Sequence, residues 1–479
     1  MLLLTYNHIN VKTMTKDARP FSVMRKRNKS SFIVLVCSVL SFIVLSAQES
    51  FALPVFARKY HTACSTCHIA FPARNGFGEA FRNNGYRFPD GTDEDMVKEE
   101  PIKLGSEAYK DVFPDAIWPS DLPNMPSLGF LAKSGASMTR NSTTRKYRDV
   151  GIDEELNIFF AGTITKQLSY IGDMNIDGGS NGTDAASTSL GRLQFVWTFK
   201  PGLSIAWGTV GFPEQFDLIS TRAGTDKDGY AASLPNPNRG VELRIAGNTG
   251  NCGGYSILAG IGRNSEVGST DTNGNNLADA NIADTRFVRA TYKIGGSGLL
   301  SGVGGSYGIQ AIGMDNSITF GVNYINSGQG ANTGSEDQIA GLTKNAYSGD
   351  VRINYGAVRA VAQYARFNEV LNALPLPGAA NDGSDIARGY YNYGKRTALS
   401  LEADYWIYPW LFGLVRYEHL HDDLNGRINK VIPGIGALLR PNVKFGIEYV
   451  SVSKDEDAEA SAAGQAAENS INFYTQVGF

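Results

Sequence analysis

The sequence of 479 residues predicts an all-β transmembrane barrel of about 16 antiparallel strands, with a small α-helical domain in front of it. Three observations predict this fold: a period-two alternation of apolar and polar residues, connections that alternate between short and long, and an unusual composition. Only 19% of the residues are charged and 54 are glycine, whereas about a quarter of a soluble domain is charged. The formal net charge of −3 excludes a nucleic-acid-binding protein as the leading interpretation.

Residues 1–52 are predicted to be a signal peptide. The basic stretch Met24–Lys29 precedes an apolar run, Phe32–Leu45, and Ser50–Ala52 has the small residues of a cleavage site. The apolar run of 14 residues is shorter than a membrane-spanning helix requires. The alternatives are a cut after Ala47 and a retained anchor helix.

The exported chain divides into residues 53–126, which hold the small domain and a linker, and residues 127–479, which hold the barrel. The boundary follows a proline-spaced stretch, because proline has no backbone N–H and continues neither a helix nor a central strand. Four prolines precede the boundary: Pro114, Pro119, Pro123 and Pro126.

The barrel strands are predicted from residues that alternate between two faces. In residues 193–199, 399–407 and 443–449 every second residue is apolar. Alternation of this kind also fits a soluble β-sandwich or propeller, but here the segments are long enough to cross a bilayer. Four charged residues fall on the opposite, lumen-facing side: Glu402, Asp404, Lys444 and Glu448.

The connections between the segments predict two different rims. Residues 200–202, 408–410 and 440–442 are tight turns, whereas four Gly-, Asn-, Asp- or Ser-rich stretches are long loops. Short turns on one rim and long loops on the other are typical of outer-membrane barrels. The sequence also ends in an alternating strand closed by Phe479, which is similar to the insertion signal of bacterial barrels. The predicted long loops are residues 214–237, 266–283, 369–395 and 455–467.

Cys64-Ser-Thr-Cys67-His68 is a CxxCH sequence, the attachment signal for c-type haem. One turn presents two thiols to the vinyl groups of the macrocycle, and the next residue places an imidazole under the iron. A thioredoxin-like site requires a βαβ setting, and zinc requires four ligands, of which the front segment offers only His61 beyond the motif. A simple disulfide between the two cysteines is the remaining alternative.

The stretch around the motif resembles the fused monohaem cytochrome–porins, the outer-membrane cytochromes of bacterial iron oxidation and their relatives. The resemblance rests on the start Leu53–Arg58, the CxxCH motif, the Phe77–Tyr86 stretch, and a porin-like remainder that ends in Phe479. It implies one covalent haem c that takes electrons from extracellular Fe(II), or another reductant, and passes them to periplasmic cytochromes or copper proteins. In enzyme terms the chain would be at most an outer-membrane Fe(II) oxidase.

Two other functions compete with electron transfer. A diffusion porin would use the haem-bearing segment as a plug or a redox gate, and a polar lumen fits both functions equally well. A peroxidase-like haem enzyme would require an open sixth coordination position. It ranks last, because the sequence places no acid–base group near the motif beyond Glu79.

Met125, between two prolines, is the candidate for the distal haem ligand, because its loop setting resembles the methionine loop of small cytochromes. Met96, His61 and an open position are the alternatives. Five further residues are candidates for contact with the haem. Phe77 and Phe81, on one face of a helix predicted to stop at Gly85, would cover the ring, and Arg58, Arg74 and Arg82 would pair with its propionates.

Two weaker sites lie in the barrel. His419 and His421 share one strand face and are predicted at the long-loop rim, where they would form either a metal-capturing pair or a solvated edge. The loop Asp271–Asp279 spaces oxygen ligands like a calcium site but lacks a closing bidentate acid, so a plain loop is the alternative. Cys252 is predicted to be an unpaired thiol.

Overall fold

A computed structural model describes residues 55–89, 96, 127–140, 146–177, 187–211, 237–250, 252–264, 285–306, 308–326, 343–373, 391–422, 426–456 and 468–478. Within these ranges no helix has both the length and the apolar character needed to cross a membrane.

Sixteen antiparallel strands form one closed barrel, which confirms the predicted barrel and its strand number. Each strand pairs with its neighbours in sequence, and the last strand closes the barrel by pairing with the first, for example Thr475 with Ser134. The strands are β3 Ser127–Arg140, β4 Tyr147–Thr163, β5 Leu168–Asp177, β6 Ser187–Lys200, β7 Leu203–Gly208, β8 Pro237–Asn248, β9 Gly254–Asn264, β10 Thr285–Gly295, β11 Ser317–Asn326, β12 Thr343–Tyr355, β13 Val358–Ala373, β14 Tyr391–Tyr408, β15 Leu411–Asp422, β16 Gly426–Arg440, β17 Val443–Lys454 and β18 Ser470–Gly478.

The two faces of the strands differ as predicted. Phe199 and Ile447 are exposed on the outside, whereas Lys444 and Glu448 are buried on the lumen side. Apolar side chains of this kind cover the outer surface of most strands. An outer surface with so many exposed apolar side chains is stable in lipid rather than in water.

One rim carries the short connections. Six of its seven connections are two to five residues long, and they include the predicted turns at 200–202, 408–410 and 440–442. The seventh connection, residues 296–316 between β10 and β11, is far longer and contains helix α3, Ile309–Met314. The alternation of short and long connections does not predict this exception.

The opposite rim carries the longer connections, apart from the three residues between β15 and β16, and most of their residues lie outside the described ranges. The predicted loop 369–395 is too long, because β13 continues to Ala373 and β14 already begins at Tyr391. The ladder passes through polar residues there, as in the pair Asn372 and Asn392, since backbone pairing does not require apolar side chains.

Residues 55–89, which precede the barrel strands in sequence, form a compact segment. It contains helix α1, Val55–Lys59, a 3-10 turn at Cys64–Thr66, the paired strands β1, His68–Ala70, and β2, Ala73–Arg74, and helix α2, Gly76–Asn83. The Asn75 side chain caps α2 by accepting a hydrogen bond from Gly78 N at 3.0 Å. The chain then leaves the helix through Gly85 at φ 72°, as predicted.

This segment is less helical than predicted, and its apolar side chains pack against the barrel rather than only on one another. One cluster joins Val55, Tyr60, Phe81 and Tyr86 to Ala161, Ile171, Val196 and Ala206 of the wall. A second cluster joins Ile69, Ala70 and Ala73 to residues of α3, β14, β15 and β16. Residues 52–479 accordingly form one compact unit. The physical reason is size, since so short a segment buries little apolar surface alone.

The segment lies inside the short-turn rim. The lumen-side strand residues that hydrogen-bond to it through Lys59, Phe71, Glu79 or Gly85 lie within four positions of a strand end at that rim. Such contacts join Lys59 Nζ to Thr163 Oγ1 at 3.1 Å and Lys444 Nζ to the Phe71 carbonyl at 3.0 Å. The Ser169 hydroxyl likewise donates a hydrogen bond to the Gly85 backbone carbonyl. We therefore call residues 55–89 the plug.

Candidate haem-attachment site

The two cysteines of the motif lie on one tight turn of the plug. Cys67 N donates to the Cys64 carbonyl at 3.2 Å, and both side chains are partly exposed. Burial raises the pKa of the Cys64 thiol to about 11. Burial and the neighbouring Cys64 raise the pKa of the Cys67 thiol to about 12. The reactive thiols of redox-active CxxC pairs have lowered pKa values instead.

His68 follows on β1 with its imidazole oriented by a backbone carbonyl. Its Nδ1 lies 3.2 Å from the Pro72 carbonyl oxygen, and its ring centroid lies 4.9 Å from that of Phe71. Because a carbonyl only accepts, the Nδ1 nitrogen is the donor, and Nε2 retains its lone pair. A histidine that ligates a metal through one ring nitrogen usually donates a hydrogen bond of this kind from the other.

The donor set fits a c-type haem. Two thiols share one turn, the next residue offers an Nε2 lone pair, and all three side chains are partly accessible. Cys64 and Cys67 would hold the macrocycle by thioether bonds, and His68 would ligate the iron. Among the described residues no group of three or more His, Cys, Asp or Glu side chains is arranged to hold a free metal ion.

The long β10–β11 connection holds the motif turn in place. Gly305 N donates to the Ser65 carbonyl at 3.0 Å, and Gly308 N donates to the Ile69 carbonyl at 3.1 Å. The sequence analysis did not anticipate this role. A usable signal existed, because residues 294–314 contain no charged residue and stand where a short turn is expected.

Glycines allow the plug backbone to pack closely around the motif. A Cβ atom on Gly78 would lie 2.2 Å from the Cys67 carbonyl oxygen, and one on Gly304 would lie 2.1 Å from the Thr66 carbonyl oxygen. Helix α2 and the β10–β11 connection therefore contact the motif turn backbone to backbone.

We expect Gly78→Ala to destabilise the plug by about 2 kcal/mol, because overpacking against backbone atoms cannot be relieved by a side-chain rotation. Thermal unfolding in detergent and the haem content per protein measure the effect. Gly313→Ala is the control, because its new Cβ would meet only the Gly356 carbonyl at 3.7 Å. Equal melting temperatures for the two variants would contradict this account.

Glu79 anchors the plug to the wall, a role that sequence reasoning missed. Its carboxylate is hydrogen-bonded to the Arg352 guanidinium and lies 3.9 Å from Lys293 Nζ. Lys293 Nζ in turn lies 2.8 Å from an Asp315 oxygen. Burial raises the pKa of Glu79, but Arg352, Lys293 and Arg74 outweigh burial and bring it to about 2. Glu79 is therefore ionised at neutral pH.

The other haem candidates lie in different settings. Met125 and the side chain of Arg58 fall outside the described residues, and Met96 and His61 are exposed. Arg74 lies opposite His68 in the backbone register of strands β1 and β2. Phe81 packs into an aromatic cluster with Phe56, Tyr60 and Tyr86, whereas Phe77 borders the motif turn beside Gly304.

The two barrel histidines lie near the end of β15 that is opposite the short turn at 409–410, as predicted. They share the outward face with Val415, and His419 Nδ1 lies 2.7 Å from Asn429 Oδ1. Within the described ranges no third metal-ligating side chain joins them. The loop Asp271–Asp279 lies outside those ranges.

No protein-family profile and no curated protein sequence matches this chain. Solved structures do match. OmpF of Salmonella typhi, in complex with daunomycin, is 14% identical, with 76% of this chain and 99% of OmpF covered and a TM-score of 0.48. The outer-membrane channel DcaP of Acinetobacter baumannii is 12% identical, with coverages of 74% and 96% and a TM-score of 0.43. A mutant Rh. blastica porin is 11% identical, with coverages of 74% and 100% and a TM-score of 0.42.

The fold is that of a porin-like outer-membrane β-barrel. The closed ring of 16 strands and the apolar outer face carry that assignment.

Proposed function

We propose that this protein is an outer-membrane c-type cytochrome that transfers electrons between an extracellular donor, Fe(II), and periplasmic carriers. One haem c would be held by Cys64, Cys67 and His68, with Met125 as the distal ligand. The observation that supports this proposal is the position of the CxxCH turn, which lies in the plug at the short-turn rim.

The orientation of the barrel determines on which side of the membrane the CxxCH turn lies. Short turns of outer-membrane barrels face the periplasm. A haem attached at this rim would lie at the periplasmic mouth of the lumen, where cytochromes or copper proteins reach it. The haem, when bound, supplies one-electron chemistry. His68 would hold the iron, and Glu79 holds the plug to the wall.

The lumen offers the donor a polar route towards the plug. Inward-facing charges form ion pairs along the wall, so the described lumen surface is hydrophilic. Arg289 Nη1 lies 2.7 Å from Asp350 Oδ2, and Arg359 Nη1 lies 3.3 Å from Asp404 Oδ2. Such a lining suits small hydrated ions and does not suit an apolar solute.

A diffusion porin with a haem-bearing plug, or with a redox gate, is the second candidate. The barrel by itself fits this function better than electron transfer, because a wall of this strand number encloses a lumen wide enough for water and solutes. Here the plug would control solute flux instead of housing an electron acceptor.

Anaerobic mixing of the purified, oxidised protein with Fe(II) tests the proposal. We expect rapid formation of a ferrous c-type spectrum in the Soret and α bands. A haem that stays oxidised would contradict an iron-accepting cytochrome. Conductance in planar bilayers that differs between oxidised and reduced protein would instead support the gated porin.

A further inference from the structure

Tyr86 lies where the plug meets the barrel wall. It is 8% exposed, and its neighbour Gly85 packs tightly against β6. A Cβ on Gly85 would lie 2.2 Å from Thr198 Oγ1, and the Gly85 carbonyl accepts from the Ser169 hydroxyl at 2.6 Å. The close backbone approach places the Tyr86 phenol against lumen-facing side chains of the wall.

One wall arginine is hydrogen-bonded to this phenol, and a second lies near enough for its charge to act on it. The Arg244 guanidinium is adjacent to the Tyr86 hydroxyl, is paired with Glu242, and reaches Gln194 Oε1 at 2.8 Å. Arg192 is two residues before Gln194 on β6, and its Nε lies 3.1 Å from Asp173 Oδ1. The side chains of Arg192 and Arg244 keep 35% and 18% of their surface accessible.

The arginines at this junction act on Tyr86 and leave one guanidinium donor unsatisfied. Burial raises the pKa of Tyr86, but Arg244, Arg192, Arg82 and Arg74 together outweigh burial and lower that pKa. In the part of the chain that the structure describes, the buried Nη1 of Arg244 has no hydrogen-bond partner. A buried guanidinium nitrogen without an acceptor indicates a water or an anion at that position.

We propose that the junction of plug and wall binds a small oxyanion, a carboxylate or a phosphate, between the guanidiniums of Arg192 and Arg244 and beside Tyr86. Guanidinium groups bind both oxyanions through paired, charge-assisted hydrogen bonds. Arg289 shows the contrasting arrangement in the same lumen, because Asp350 binds both of its terminal nitrogens and Asn323 adds a further contact.

The oxyanion has two conceivable sources, a free anion in the lumen and a propionate of the proposed haem. Arg74 is in register with His68, so one edge of the cluster lies near the motif. The binding site itself does not depend on the haem, because its two principal arginines belong to the wall.

Calorimetric titration of the purified full-length protein with inorganic phosphate, in a phosphate-free detergent buffer, tests this proposal. We expect saturable binding that weakens roughly tenfold in Arg192→Gln, which loses one charge-assisted contact. Arg244→Lys keeps the charge opposite Glu242 and is expected to weaken binding as well, so it carries the test if Arg192→Gln does not fold. Arg289→Gln is the matched control and is expected to bind like the wild type.

Titrations of the haem-loaded and the haem-free protein distinguish the two sources of the anion. Binding by the haem-loaded protein supports a site for free anions. Binding only by the haem-free Cys64→Ser/Cys67→Ser protein, with the same dependence on Arg192, supports the site and assigns its natural occupant to a propionate. Absence of binding in both proteins, or equal weakening by Arg192→Gln and Arg289→Gln, overturns the proposal.

Discussion

Cys64→Ser/Cys67→Ser is expected to abolish covalent haem attachment while the barrel still forms. A thioether bond requires the cysteine sulfur, and serine offers no equivalent nucleophile. Haem staining of denaturing gels measures the loss, and the shift of the folded barrel on unheated gels reports folding. The two cysteines lie on the short plug turn, so their replacement leaves the strand pairing of the barrel intact.

Cys252→Ser is the matched control for this double variant. Cys252 is an exposed cysteine in the β8–β9 connection, on the same rim as the plug. We expect its replacement to leave haem staining unchanged. Covalent haem that persists in the double variant, or disappears in Cys252→Ser, would contradict attachment at the CxxCH motif.

Glu79→Gln is expected to loosen the plug and to cost about 3 kcal/mol of stability, because it removes the carboxylate that is hydrogen-bonded to Arg352, whereas Lys293 keeps Asp315. Thermal unfolding in detergent measures the loss, and bilayer conductance reports whether the loosened plug admits ions. Glu468→Gln is the control, because its partly exposed pair with Lys454 lies at the opposite rim. Loss of this ion pair should lower the free energy of unfolding by less than about 1 kcal/mol.

The contribution of Glu79 depends on pH in a defined direction. The folded protein holds the pKa of Glu79 near 2, whereas its ordinary value is 4.5. Below pH 4.5 the unfolded chain therefore binds a proton that the folded chain does not, and stability falls as the pH is lowered towards 2. The stability gap between wild type and Glu79→Gln should shrink over that range. A gap that stays constant from pH 5 to pH 2 would contradict the ionised anchor.

The barrel could be predicted because its signal is local. The alternation in residues 193–199 and 443–449 depends only on which side of a strand each residue faces, and every residue of the segment carries that information. Short turns such as 408–410 are equally local, since proline and glycine mark them directly. The CxxCH motif is also a local signal, because its chemistry requires the two thiols and the imidazole on one turn.

The plug could not be predicted in the same way, because its partners are distant in sequence. Glu79 is bonded to Arg352, 273 residues further along the chain, and from sequence alone it looked unremarkable. The β10–β11 connection also closes around the motif from more than 200 residues away, for example through Gly305 and Ser65. No periodicity within either segment encodes these contacts.

The sequence by itself therefore determined the strands, their two faces, the two rims and the CxxCH motif. Only the tertiary structure decided that residues 55–89 share their apolar clusters with the wall, that Glu79 is a buried anchor, and that Tyr86 lies among guanidiniums. The physical reason is that alternation and turns arise from the geometry of a single strand. The burial of a charge, by contrast, depends on which distant side chains the closed barrel brings to the same level of its lumen.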